Sequence, residues 1–223
     1  NTKSMAEPTG NAGTTTETKP GSNAPQSTLT PTPPASTDEP EETSEEPNDT
    51  EKLKEIITEQ RNAGATVSED LQSEQYTWQG GRLTSVHWSG TELTGSIDFS
   101  GFTSLAVLDV SNCPSLERLE CGSKNELAEE NQLGKLDVSN CLSLERLGCT
   151  SNQISELDVT KCPSLKELSC GDNQLSKLDV SKCPNLEILY CSVNQISELD
   201  VTKCSSLTRL FCSNNQISKL DVS

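Results

Sequence analysis

One histidine, His87, is the chain's entire imidazole complement, and basic side chains are scarce: 17 Lys and Arg stand against 34 Asp and Glu, a formal net charge of −17. Nucleic-acid binders carry a basic stripe, so a chain this acidic repels phosphate, which argues against DNA or RNA as a partner. No apolar run reaches the ~18 residues a membrane-spanning helix needs. The motifs of common enzyme chemistry are also missing. There is no phosphate-cradling glycine loop, no G-x-S-x-G and no C-x-x-C, and a lone His87 cannot complete a Cys/His zinc site. Carboxylates are plentiful, but acid–base work requires a pocket that shifts their pKa values, and an open repeat surface provides none. No catalytic residue, metal site or cofactor is expected.

What the chain has instead is leucine in register. From Leu144 onward it reads LERLGCTSNQISELDVTKCPS, LKELSCGDNQLSKLDVSKCPN, LEILYCSVNQISELDVTKCSS and LTRLFCSNNQISKLDVS. Leu147, Leu168, Leu189 and Leu210 fall in phase, as do Cys149, Cys170, Cys191 and Cys212, so the period is 21 residues. One such unit cannot bury its apolar edge alone; stacked copies join their edges into a continuous core. In L-x-x-L-x-C the apolar residues alternate, which predicts short parallel strands centred on those leucines. Asn152, Asn173, Asn194 and Asn215 follow each Cys by three residues and are expected to form a buried ladder satisfying turn backbone. The second half repeats the spacing, with Leu178-Asp179-Val180 and Cys183 matching Leu168, Cys170 and Asn173, so the repeat is nested.

These residues resemble the bacterial leucine-rich repeats, in particular the nested 21-residue class with consensus LxxLxLxxNxLxxLxLxxN. The resemblance covers about residues 83–223. It implies a right-handed leucine-rich-repeat superhelix of short parallel strands and turns, and by analogy a non-catalytic binding role. Departures are Cys at a strand position usually given to Leu, and Cys in place of the second Asn. Residues 83–104 align with later copies if Val86 and Trp88 replace Leu147 and Cys149, with one extra residue before Ile97. Residues 105–115 then read as a second consecutive back half, and a seven-residue excess before Leu133 restores the phase.

Three parts are expected. Residues 1–49, rich in Thr, Ser, Pro and Glu, lack core-forming side chains and read as disordered, either an ordinary flexible terminus or a tether. Residues 50–82 form an N-terminal cap: Thr50 or Asp49 caps a helix with Leu53, Ile56, Ile57 and Gln60 on one face, ending at Asn62-Ala63-Gly64 and joined by Tyr76 and Trp78. Residues 83–223 are the repeat array. The start at Asn1 implies a removed leader or a trimmed chain, and the stop at Ser223 within a repeat reads as truncation.

Ten cysteines fall into two ladders, Cys121, Cys149, Cys170, Cys191, Cys212 and Cys113, Cys141, Cys162, Cys183, Cys204. In-register side chains run parallel, whereas a disulfide needs Cβ atoms converging to ~3.8 Å, so buried free thiols are expected. Asp109, Asp137, Asp158, Asp179, Asp200 and Asp221 recur in L-D-V. Alternating Lys135, Glu156, Lys177, Glu198 and Lys219 neutralise that face, which is expected to be solvated. On the other strand the outward middle position varies: His87, Glu120, Gly148, Ser169, Tyr190, Phe211. Tyr190 and Phe211 beside Ile188 and Arg209 have hot-spot composition, although a covering repeat would also account for Phe211. The candidate ligand-binding residues are therefore Tyr190, Phe211, Ile188, Arg209, Glu120 and His87.

The expected function is a surface-displayed module that recognises a protein or glycan through its concave face. It would be monomeric, extracellular and tethered to a bacterial surface, with an N-terminal lipid anchor as its one membrane contact. The alternative is a structural spacer, or an array from a larger surface protein whose active domain lies elsewhere.

Overall fold

The computed structural model describes residues 48–123 and 131–222. They belong to the unit Ser44–Ser223; the other unit, Asn1–Thr43, and with it nearly all of the expected tether, lies outside the described residues.

Helix α1 spans Asp49–Asn62, and its N-cap is Asn48, whose side chain accepts from the Thr50 amide. The sequence placed this cap at Asp49 or Thr50. The difference follows from Asp49's other partners, since its Oδ2 accepts from Arg82 Nε and the Leu83 amide, both at 2.9 Å. Leu53 and Ile57 face the core, while Ile56 is only partly buried. Strands β1 (Tyr76–Gln79) and β2 (Arg82–His87) then form an antiparallel hairpin across Gly80 and Gly81, which both adopt positive φ, 57° and 79°. A left-handed pair of residues matches the twist of a tight hairpin.

Beyond the hairpin the chain winds as a solenoid. Strands β3 (Thr94–Asp98), β5 (Ser115–Glu120), β7 (Arg146–Gly148), β8 (Glu167–Ser169), β9 (Ile188–Tyr190) and β11 (Arg209–Phe211) stack in parallel as one six-stranded sheet. The expected strands at Leu147, Leu168, Leu189 and Leu210 are all present, paired leucine to leucine. On the opposite side β2 pairs with β4 (Val107–Asp109) and β4 with β6 (Lys135–Asp137), and β10 (Glu198–Asp200) pairs with β12 (Lys219–Asp221). Inward leucines such as Leu168 and Leu189 are wholly buried. Each contributes roughly 1.5–3 kcal/mol.

The corners after Val138, Val159, Val180 and Val201 are each two successive turns: Cys162 N donates to Val159 O at 3.0 Å and Leu165 N to Cys162 O at 3.2 Å. Pro163 occupies the first central position of the second turn, where its fixed φ fits and no N–H is required. At the opposite corner the asparagines form the expected ladder. Asn173 Nδ2 donates to Cys170 O in its own rung and to Cys149 O in the rung before, while its Oδ1 accepts from Ile154 N. Asn152 and Asn194 repeat the arrangement.

The early copies require a correction. Val86 pairs with Leu108 and His87 with Asp109, so residues 83–88 are a back half equivalent to L-D-V, with Trp88 standing where later copies have Val. Ile97 pairs with Leu119 and Asp98 with Glu120, making residues 94–99 the front half, with Phe99 in place of Cys. The two halves share one spacing, so either phase satisfies the pattern; the hairpin with β1 and the helix decide it. No second consecutive back half exists. The seven-residue excess falls in sequence between Cys121 and Asn131, whose Nδ2 donates to Cys121 O just as Asn152 Nδ2 donates to Cys149 O. Most of that excess lies outside the described residues.

Large side chains fill the first rungs. Trp88 lies 6.2 Å from Tyr76 and 5.5 Å from Phe99, and Phe99 lies 5.5 Å from Phe102. Trp88 Nε1 donates to Tyr76 Oη, which in turn donates to Ser68 O, so the buried polar atoms of the cluster are satisfied.

Candidate functional site

Each three-residue strand of the six-stranded sheet turns its central leucine inward and its two flanking residues outward, which creates two outward columns. Parallel register aligns them. The first column runs Arg118, Arg146, Glu167, Ile188, Arg209; the second runs Glu120, Gly148, Ser169, Tyr190, Phe211. In the first, Arg146 Nη1 lies 3.3 Å from Glu167 Oε2, an exposed pair of small energetic weight.

The second column ends in an aromatic stack. The Tyr190 and Phe211 ring centroids are 4.6 Å apart and the planes are 11° from parallel. That separation is close to the spacing of adjacent strands, so the two rings stand face to face along the sheet. Phe211 is 47% exposed. Ile188 and Arg209 pair in register beside them. The structure thus brings four of the sequence-predicted residues into one patch, with Glu120 farther along the same column. His87 does not join them: it lies on the opposite sheet beside Asp109, because the phase of its rung is shifted by half a repeat.

Small residues between Glu120 and Tyr190 leave room. Glu120 leans over Gly148, where an added Cβ would collide with its carboxylate. Next to Tyr190 is a depression of about 400 Å³ lined by Thr150, Ser169, Gly171, Asp172, Tyr190, Ser192 and Val193. A second hollow of about 280 Å³, reaching to Ser100, Glu120, Gly122, Ser123 and Gly148, shares the Thr150 and Ser169 walls. Sequence reasoning did not select Thr150, Asp172, Ser192 or Val193. Their signal was present in the positions between each Cys and its Asn, where the side chain varies from copy to copy.

On the opposite face the recurring aspartates are occupied locally. Asp158 Oδ1 accepts from the Thr160 amide and hydroxyl at 2.9 and 2.6 Å, and these bonds hold its carboxyl below the usual range. Asp200 is held down in the same way by Thr202. Glu198 lies in register with Lys219, as the charge alternation predicts. Among the described residues no group of three or more His, Cys, Asp and Glu is arranged to hold a metal ion.

All ten cysteines are free, and all but Cys212 are buried. The two ladders differ in chemistry. Cys141, Cys162 and Cys204 donate S–H to Val110, Val138 and Val180 carbonyls of the preceding rung, at 3.2, 3.3 and 3.4 Å. They substitute for the rung-bridging amide of the second consensus asparagine. Desolvation pushes Cys141 up to about 11 and Cys162, Cys183 and Cys191 to about 12, with Cys149 and Cys170 raised as well. These six thiols stay protonated at neutral pH.

The fold and its repeating strands define a leucine-rich-repeat solenoid. The family described as Leucine Rich repeats (2 copies) matches residues 142–183, 163–203 and 184–223. The functional domain of InlJ from Listeria monocytogenes, which includes a cysteine ladder, is 26% identical over 63% of this chain; the match spans 44% of that domain, with a TM-score of 0.37. Internalin C2 from the same organism is 17% identical, covering 77% of this chain and 86% of its own, with a TM-score of 0.42. The ectodomain of the receptor kinase SOBIR1 from Arabidopsis thaliana is 21% identical over 79% of this chain and 97% of its own, with a TM-score of 0.39. No curated protein matches the sequence. No helix among the described residues is long and apolar enough to cross a membrane.

Proposed function

We propose that the chain is a non-catalytic binding module that recognises a protein or glycan through the outward face of its six-stranded sheet. The observation that carries this reading is the outward-facing Tyr190–Phe211 stack at 4.6 Å, set on a rigid array beside Ile188 and Arg209. Rings held in one geometry by the backbone register lose little entropy on binding, and aromatic residues with Arg dominate binding hot spots. Glu120 extends the same face. His87, on the opposite sheet, is not part of this surface. Residues 1–49 would serve as a tether, displaying the module extracellularly on a bacterial surface as a monomer, with a lipid anchor before the tether.

The test is a screen of the full chain against arrayed extracellular proteins and glycans, repeated with the Tyr190→Ala/Phe211→Ala double variant. Neither ring belongs to the core, so the variant should fold normally and lose its hits. Each ring should contribute about 1–2 kcal/mol to affinity. Hits retained at full strength by a folded double variant would place the binding surface elsewhere.

A further inference from the structure

One residue is out of character among those that turn the chain after each front strand. Ser151, Asp172, Val193 and Asn214 occupy equivalent positions with φ of 56°, 53°, 57° and 53°. Short polar side chains such as Asn and Asp tolerate this left-handed backbone; a β-branched side chain crowds the neighbouring peptide there. Burial does not compensate Val193, which is 45% exposed. The array sets its backbone: Val193 N donates to Ser213 O at 2.9 Å, and Asn173 N donates to Val193 O at 3.1 Å. An exposed apolar side chain at a strained position points to a task other than folding.

Val193 stands at the rim of the depression beside Tyr190. Tyr190 turns one ring face to Phe211, so its opposite face is directed along the sheet toward the rung of Ser169, where the outward side chain is small. Ser169, Gly171, Asp172 and Ser192 complete the lining. The result is one open ring face and one isopropyl group, with hydroxyls and a carboxylate around them. Neither Lys nor Arg lines it.

We infer that this depression is a subsite for one hexopyranose unit of a glycan, an assignment that rests on the sheet-face reading above. The apolar C–H face of the sugar stacks on the Tyr190 ring, an exocyclic carbon packs on Val193, and sugar hydroxyls bond to Ser169, Ser192 and Asp172. A polyol with one apolar face requires this combination of flat ring and small hydrogen-bonding groups. The hydroxyls and carboxylate around the ring suit an occupant with hydroxyls along its edges better than an apolar protein side chain. The adjoining hollow of about 280 Å³, which shares Ser169, leaves space for the next unit of the chain.

The experiment uses the full chain, ¹⁵N-labelled and titrated with methyl β-glucopyranoside, methyl β-galactopyranoside and methyl N-acetyl-β-glucosaminide. Amide shifts and saturation transfer to the sugar are read together. At least one glycoside should move the Ser169, Gly171, Tyr190 and Val193 amides, and Tyr190→Ala and Val193→Asn should each weaken it about ten-fold, a loss of about 1.4 kcal/mol. Val193→Asn should also raise Tm by about 2–4 °C, because the strain is relieved. The subsite is overturned if no glycoside moves these amides, if the shifts map to another face, or if Val193→Asn lowers Tm, which would make Val193 a packing residue. Loss of the sugar result alongside a protein ligand sensitive to Tyr190→Ala/Phe211→Ala would reject the subsite while leaving the binding face intact.

Discussion

Gln60 and Thr94 exchange two hydrogen bonds, Gln60 Nε2 to Thr94 O at 3.1 Å and Thr94 N to Gln60 Oε1 at 3.0 Å. One buried side-chain amide on the cap helix therefore stands where a neighbouring strand would pair with β3. An uncovered first strand would expose backbone groups to water or to another chain. Gln60→Ala is expected to destabilise the fold by about 1–3 kcal/mol through the unpaired Thr94 groups. Urea denaturation checks it, with a lower midpoint at an unchanged m-value; an unaltered midpoint would show that water replaces the amide at no cost.

The asparagine ladder should be more sensitive. Removing the Asn173 side chain leaves Ile154 N without its partner and takes one of two asparagine donors from each of the Cys149 and Cys170 carbonyls, which keep Asn152 and Asn194. The orphaned Ile154 N–H costs about 1–3 kcal/mol and the two weakened carbonyls add to it, so Asn173→Ala should lose about 2 kcal/mol or more. Asn173→Asp retains the acceptor and loses the donor, and should recover only part of the loss. Equal midpoints for Asn173→Ala and the parent chain would contradict the bridging role.

Thiol chemistry is expected to follow burial. Denatured protein should yield ten free thiols, and native protein should react slowly with a thiol reagent. Three or more intact disulfides by mass spectrometry would contradict the ladder geometry. The pH dependence has a definite sign. Folded thiols with pKa raised from 9.0 to about 11 or 12 stay protonated while unfolded ones ionise, so their stabilisation is present below about pH 9 and is lost as pH rises toward 12. A denaturation midpoint that holds constant from pH 8 to 11 would contradict this.

At the acid end, Thr160 is the test. Its hydroxyl and amide hold Asp158 low, so this contribution is present at neutral pH and is lost as pH falls through the depressed pKa. Thr160→Val removes the hydroxyl while keeping the amide, and Asp158 should move part of the way back toward an ordinary aspartate, read by carbon-detected NMR titration. An unmoved titration curve would assign the shift to the amide alone.

The nested spacing was legible in the residues because the strand leucines, the ladder asparagines and the cysteines from Leu144 onward answer to a 21-residue period. Parallel strands, the asparagine ladder and free thiols follow from it. The helix face with Leu53, Ile57 and Gln60 was legible too, but the partner of Gln60 was not, since no local pattern marks a contact between residues 34 positions apart. Val193 escaped notice because composition does not reveal φ.

The sequence by itself determined the repeat, its stacking and the residues that face inward, because period and apolar spacing are properties of the chain alone. Only the tertiary structure decided which half of the repeat comes first. Front and back halves share one spacing, so Val86-His87-Trp88 and Ile97-Asp98-Phe99 fit either side until the β1 hairpin pairs with β2 and Gln60 closes β3. That choice sends His87 to the aspartate face and leaves Tyr190, Phe211 and the Val193 depression on the other. It is made by long-range hydrogen bonds at the cap, and these have no counterpart in the repeat itself.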